Sequence, residues 1–206
     1  MKIELILLAA GQSKRFGGIK QLTDINGQPM VCHCLGQFRQ GEQWIDGITN
    51  GYVVLGSNAE LITPVLPTNV NKYVANYWQR GMGHTLAESM QIIANDTTHV
   101  LIALADQVTI IQPIIMSMLK ESFCHSERIV AAEYAGRVGA PSIFPKQYFS
   151  QLSQLTGDKG AQALIQQYPQ QTISLAIPEA EFDIDTPEDL KSVVYIRDSV
   201  YPSYTQ

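Results

Sequence analysis

Apolar residues along the chain fall into short, mostly continuous runs: Ile3 to Leu8, Tyr52 to Leu55, Val70 to Val74, Val100 to Ala105, Ile129 to Glu133 and Ile173 to Ile177. Runs of that length without strict alternation suit strands buried on both faces. Between them the spacing becomes that of a helix face, with Met30, Cys34 and Phe38, then Leu86, Met90 and Ile93, then Ala161, Leu164, Ile165 and Tyr168. Strand and helix alternate, which predicts an α/β, Rossmann-like three-layer fold with a mainly parallel central sheet and helices on both sides. Ligands of such folds lie beyond the carboxyl ends of the strands, so chemistry is sought in the loops that follow the runs. Residues 1–196 read as a single domain without repeat or linker, and residues 197–206 as a loosely packed tail.

Composition narrows the function classes. With 206 residues, 45% hydrophobic and 16% charged, the chain has the makings of an ordinary globular core. A net charge of -5 argues against a nucleic-acid or acidic-membrane surface, whose affinity comes from clustered Lys and Arg. The apolar run from Ile110 to Leu119 is too short to cross a bilayer, Met1 leads directly into an acid-bearing strand, and three cysteines form no disulfide framework. A cytoplasmic protein is expected. Cys32-His33-Cys34 lacks zinc-pair spacing and reads as helix interior.

The first loop carries the strongest chemical signal. Leu8-Ala9-Ala10-Gly11-Gln12-Ser13-Lys14-Arg15-Phe16-Gly17-Gly18-Ile19-Lys20 combines small residues, glycines and three cations. Such backbone can approach an anion closely, and Arg15 and Lys20 can neutralise phosphate oxygens. No G-x-G-x-x-G fingerprint and no Walker A pattern can be aligned to it. Asp106 directly follows the run Val100 to Ala105 and should emerge beside this loop, where one carboxylate can supply the protein share of a magnesium site; capping of a following helix is the alternative. Asp183 and Asp185 alternate in an extended segment and face one way, whereas Thr186-Pro187-Glu188-Asp189 has the makings of a helix start. Asp158, ahead of the helical spacing Ala161 to Tyr168, is a helix N-cap candidate. His84, beside a helix start, is a candidate for substrate contact, with a solvated loop histidine as the alternative.

The loop resembles the MobA-like nucleotidyltransferase family, and within it the molybdenum cofactor cytidylyltransferase group, whose hallmark L-A-A-G-x-S-x-R-F-G-x-x-K is matched from Leu8 to Lys20. The likeness continues at Gly81-Met82-Gly83-His84-Thr85-Leu86, Ala105-Asp106-Gln107, Gly139-Ala140-Pro141, Gly157-Asp158-Lys159-Gly160-Ala161 and Asp183-Ile184-Asp185-Thr186-Pro187. Val108 stands where the family usually has proline. The resemblance implies a nucleotide-diphospho-sugar transferase-like fold, a nucleoside triphosphate held by Leu8, Ala9, Ala10, Gly11, Ser13, Gly83 and Thr85, and a triphosphate bound by Arg15 and Lys20. It further implies Mg2+ on Asp106 and Asp185, with Gly139, Ala140, Pro141 and Asp158 toward the acceptor. CTP is the implied donor, because the guanylyltransferase branch typically has a second glycine at Ala10, and a molybdopterin cofactor is the implied acceptor, with a molybdoenzyme as a candidate partner. Two other readings stand beside it: a sugar or polyol phosphate nucleotidyltransferase, and a non-catalytic accessory protein that delivers molybdenum cofactor.

Overall fold

The first strand, β1 (Ile3–Ala9), is buried at every position, as a run without polar alternation requires. The structure, a computed structural model, describes residues 1–190, so the expected domain end at 196 and the tail at 197–206 lie outside the described residues. Six further strands, β2 (Ile48–Leu55), β3 (Asn71–Val74), β4 (His99–Leu104), β5 (Ile129–Tyr134), β6 (Arg137–Pro145) and β7 (Thr172–Ala176), complete a seven-stranded sheet in the order β3-β2-β1-β4-β6-β5-β7. All neighbouring pairs are parallel except those of β6, which runs antiparallel to β4 and β5.

Strand β6 runs through Gly139-Ala140-Pro141, which none of the apolar runs read as strands includes. Gly139 pairs with Ala132 and Ser142 with Ala131, so Ala140 and Pro141 form a bulge inside a strand. Pro141 has no N–H for the ladder, and a bulge is where a sheet interior accepts such a residue. Burial on both faces holds for β1, β4 and most of β5 but not for the edge strands β3 and β7, which are half exposed.

Among the described residues the sheet is flanked by α1 (Met30–Gly36), α2 (Ala59–Ile62), α3 (Met82–Ser89), α4 (Gln112–Cys124), α5 (Phe149–Leu152) and α6 (Gln162–Gln167). Successive residues of β1 serve opposite faces. Leu5 and Leu7 join Val31 and Leu35 of α1 with Ile115 and Met118 of α4, while Ile6 and Leu8 join Leu86 of α3 with Leu164 and Ile165 of α6. The carboxyl ends of β1, β2 and β4 are level, with Ala9 beside Leu55 and Leu8 beside Leu104. The loops after β1 and β4 therefore leave the sheet side by side.

Candidate active site

After Ala9 the chain loops back to a single 3-10 turn, Lys20–Leu22, and that turn organises everything before it. The buried Gln21 donates its amide to the carbonyls of Ala9 at 3.2 Å and Gly11 at 2.9 Å, and accepts from the Ser13 hydroxyl at 3.1 Å. Ser13 takes a left-handed φ of 56° and accepts from the Lys20 N–H at 3.3 Å. These contacts draw carbonyl oxygens, which an anion would avoid, inward onto Gln21. Gln21 was not among the residues expected from the sequence. A polar residue following Lys20 at the edge of the apolar core was the available signal.

Lys20 is buried, and its ammonium donates to Asp106 Oδ2 at 2.7 Å, to the Ile184 carbonyl at 2.9 Å and to Asp185 Oδ1 at 3.0 Å. Arg15, largely exposed, meets Asp185 Oδ2 at 2.5 Å. Burial alone would lower the Lys20 pKa, but the charges and hydrogen bonds of Asp106 and Asp185 outweigh it and raise the pKa, so the amine stays protonated. The two cations read from the sequence as phosphate binders are thus each paired with carboxylates.

The carboxylates converge from two distant segments. Asp106 caps no helix: α4 begins six residues later and receives no side-chain cap. Its loop is fixed instead by neighbours, since Gln107 donates to the carbonyls of Ala140 at 3.2 Å and Ala180 at 2.8 Å, and His33 Nε2 lies 3.1 Å from the Val108 carbonyl. The second segment docks through the Ile184 N–H on the Asp106 carbonyl at 3.1 Å. It is anchored by a reciprocal cap in which Asp189 accepts from the N–H groups of Asp185 and Thr186 and donates its own N–H to the Thr186 hydroxyl. Asp183 lies 3.9 Å from Arg137; burial foremost, then the nearby Asp106 charge, push its carboxyl up to about 7 against the pull of Arg137 and Lys20. One oxygen each of Asp106 and Asp183 is buried without a hydrogen-bond partner among the described residues. No group of three or more His, Cys, Asp or Glu side chains among the described residues is arranged to hold a metal ion unaided.

These groups open into a cavity of about 520 Å³ lined by Leu8, Ala9, Ala10, Gly11, Ser13, Arg15, Lys20, Thr85, Asp106, Asp158, Asp183 and Asp185, together with Trp78, Gln79 and Met82. Asp158 does not cap α6, whose first turn carries no side-chain cap; it reaches the cavity beside Gly81, where a Cβ would stand 2.3 Å from Asp158 Oδ1. Gly83 lies outside the lining. Its N–H bonds the Gly157 carbonyl at 2.7 Å, and a side chain there would strike the Thr156 carbonyl at 2.6 Å. His84 Nδ1 lies between the Gly157 N–H at 3.2 Å and the Arg80 carbonyl at 3.0 Å, so it ties the 156–160 loop to α3. Gly139, Ala140 and Pro141 are outside the lining as well, although Ala140 holds Gln107 next to Asp106. Cys32, His33 and Cys34 are interior to α1.

Known proteins share this architecture. The crystal structure of Rv0371c from Mycobacterium tuberculosis H37Rv superposes with a TM-score of 0.80 at 24% identity, covering 95% of this chain and 99% of that one. A second structure of Rv0371c, in complex with manganese, gives 0.74 at 22% identity with the same coverage. CMP:2-keto-3-deoxy-manno-octonic acid synthetase complexed with CTP gives 0.71 at 14% identity over 97% and 99% of the two chains. Bifunctional protein GlmU of Pseudomonas putida is 32% identical over 103 residues, 49% of this chain but only 22% of that relative's length. No helix among the described residues is long and apolar enough to cross a membrane. Residues 5–172, from β1 into β7, match the family model described as a MobA-like NTP transferase domain, and the chain belongs to that family.

Proposed function

We propose that this protein transfers the nucleoside monophosphate of CTP to a phosphate-bearing acceptor, a molybdopterin-type cofactor, with release of pyrophosphate. The observation that carries the reading is the meeting of Arg15 and Lys20 with Asp106 and Asp185, residues 86 to 170 positions apart, at the mouth of one cavity. Chemistry is the economical reason to bring two cations and two acids to one place. The acceptor phosphate is already an anion, so no general base is needed, and the protein's task is to align the attacking oxygen with the α-phosphorus and neutralise charge. Arg15 and Lys20 would bind the triphosphate and spread the charge that develops on the departing pyrophosphate.

The donor set suits a hard divalent ion. Asp106 and Asp183 each keep a buried oxygen unpaired, and Mg2+ is commonly bound by one or two carboxylates completed by substrate phosphates and water. Asp106 and Asp185 would hold it, with Asp183 lining the same cavity, and it would polarise the phosphoryl oxygens. The manganese complex of the mycobacterial neighbour supports a divalent ion in this fold. Ala10 favours cytidine over guanosine by the family resemblance, and the CTP-bound neighbour agrees. That neighbour's name also favours a second reading, the same transfer to a sugar acid or sugar phosphate.

Pyrophosphate release with CTP, GTP or ATP, with and without purified molybdopterin cofactor, tests both readings. Release that requires CTP and the cofactor together is the expected result. Release that ignores the cofactor but follows a sugar phosphate selects the second reading. Asp106→Ala should lose about a hundred- to thousandfold in turnover, as expected when charge stabilisation at a reacting centre is removed, with its far-ultraviolet circular dichroism unchanged. Near-normal release by that variant would exclude the assigned chemistry.

A further inference from the structure

Glu88 is a buried acid, 7% exposed, that the reaction outlined above does not use. It lies near the end of α3, and its carboxylate accepts from the Tyr73 hydroxyl at 2.9 Å, the Asn76 N–H at 2.9 Å, the Asn76 side-chain amide at 2.6 Å and the Tyr77 N–H at 3.1 Å. Burial alone would raise its pKa, yet the donors, led by the Asn76 and Tyr77 N–H groups, hold the carboxyl below its usual range. All four donors are neutral, and all belong to β3 or the turn that follows it. An apolar side chain would fill a helix–sheet seam at less desolvation cost. The carboxylate instead gathers one particular turn.

That turn leads straight into the 3-10 segment Trp78–Arg80 and then into Gly81 at the start of α3. Trp78 packs so tightly on β2's exit that a Cβ on Gly56 would lie 2.6 Å from its Cγ and 2.8 Å from the Ala10 carbonyl oxygen. Trp78 and Gln79 line the cavity beside the first loop. The phosphate end of the site, by contrast, is built by Gln21, Lys20 and the two aspartate segments, none of which touches Glu88. Resting on the nucleotidyltransferase reading, we infer that Glu88 is a positioning residue: by fixing the Asn76–Tyr77 turn it sets Trp78 and Gln79 against the nucleoside part of the triphosphate, leaving phosphate binding to the first loop.

Glu88→Gln separates this role from a general structural one. It keeps the shape but replaces one acceptor oxygen with an amide NH2, a donor pointed at a cluster of donors. Calorimetric titration of wild type and variant, in magnesium chloride, compares CTP with inorganic tripolyphosphate, which has phosphates and no nucleoside. The expected result is about tenfold weaker CTP binding, the loss of roughly one charge-assisted hydrogen bond's worth of ordering, with tripolyphosphate affinity changed by less than about twofold. Tyr73→Phe, which removes a single donor on β3, should move CTP binding in the same direction by less. Equal affinities in variant and wild type for both ligands, or losses by one common factor, would overturn the inference. If Glu88→Gln does not fold, Tyr73→Phe decides by the same comparison. A wild-type protein that binds neither ligand would bring down the nucleotidyltransferase reading itself.

Discussion

Lys20 sits at the centre of the charge balance. Its side chain is 10% exposed, that of Asp106 23% and that of Asp185 36%, so the pairs are only partly screened. Removing one partner of a fully buried pair destabilises by roughly 3–5 kcal/mol, and the partial exposure here reduces that to about 2 kcal/mol for Lys20→Met. Urea unfolding should register the loss, and added magnesium should recover more stability in the variant than in the wild type, because it supplies charge that the amine no longer does. A Lys20→Met protein as stable as the wild type would show that the pairs contribute nothing. Asp183 gives the site a pH signature. Its carboxyl moves from an ordinary 3.8 up to about 7, so between those values the folded state holds a proton that the unfolded chain releases. Stability from this group is therefore complete at low pH, falls as pH rises through that window and is lost above about 7. Asp183→Asn should flatten that part of the profile and make the ligand-free protein more stable than wild type at pH 8, although less active. An unchanged slope of unfolding free energy against pH across the window would contradict it.

At the scale of elements, the glycines of the α3 entrance lend themselves to measurement. Gly81 has a φ of 106°, and a methyl there would press on Asp158 and on the Gly157 carbonyl at 2.5 Å, whereas Gly136, with a φ of 71°, faces open space. Both alanine variants carry a backbone penalty of about 1 kcal/mol, but Gly81→Ala should lose a further 1–3 kcal/mol by displacing the 156–160 loop and should weaken nucleotide binding as well. Equal melting temperatures for the two variants would mean that the loop yields freely. The same residues explain what could be read in advance. Uninterrupted apolar runs announced β1, β4 and β5 because a doubly covered strand has no polar face to hide, and the Leu8 to Lys20 spacing singled out the loop whose cations meet Asp106 and Asp185. Strand β6 escaped notice because Gly139, Pro141 and Pro145 carry the marks of a turn, and only pairing with β4 and β5 makes a strand of them. Helix α4 was obscured by its own start, where the apolar stretch around Ile110 blurs the helical period. Asp158 was ambiguous for a different reason: capping and cavity contact demand the same residue type, and only the approach of Gly81 decides between them.

For the molecule as a whole, the site is a meeting of chain regions near residues 9–21, 105–107 and 183–189, joined by more than their charges. The Ile184 N–H binds the Asp106 carbonyl and the Ile184 carbonyl binds Lys20, so the late segment lies against the others through backbone as well as carboxylates. Asp185 joins the late segment to the first loop, because it holds both Arg15 and Lys20. Asp185→Asn should accordingly loosen two segments at once. An exposed pair such as Arg15–Asp185 is worth about 0–1 kcal/mol, and the more buried Lys20 contact adds a comparable amount. Local opening of residues 11–21 and 183–190 should then become about tenfold more frequent, read as faster amide hydrogen exchange in both. CTP with magnesium should restore protection to residues 11–21, where phosphates take over from Asp185. Residues 183–190 should recover only in part, since their own carboxylate partner is gone. Exchange that rises in one segment alone, or in neither, would mean that the ion pairs do not couple the first loop to the distant acidic segment, and the electrostatic unity of the site would have to be abandoned.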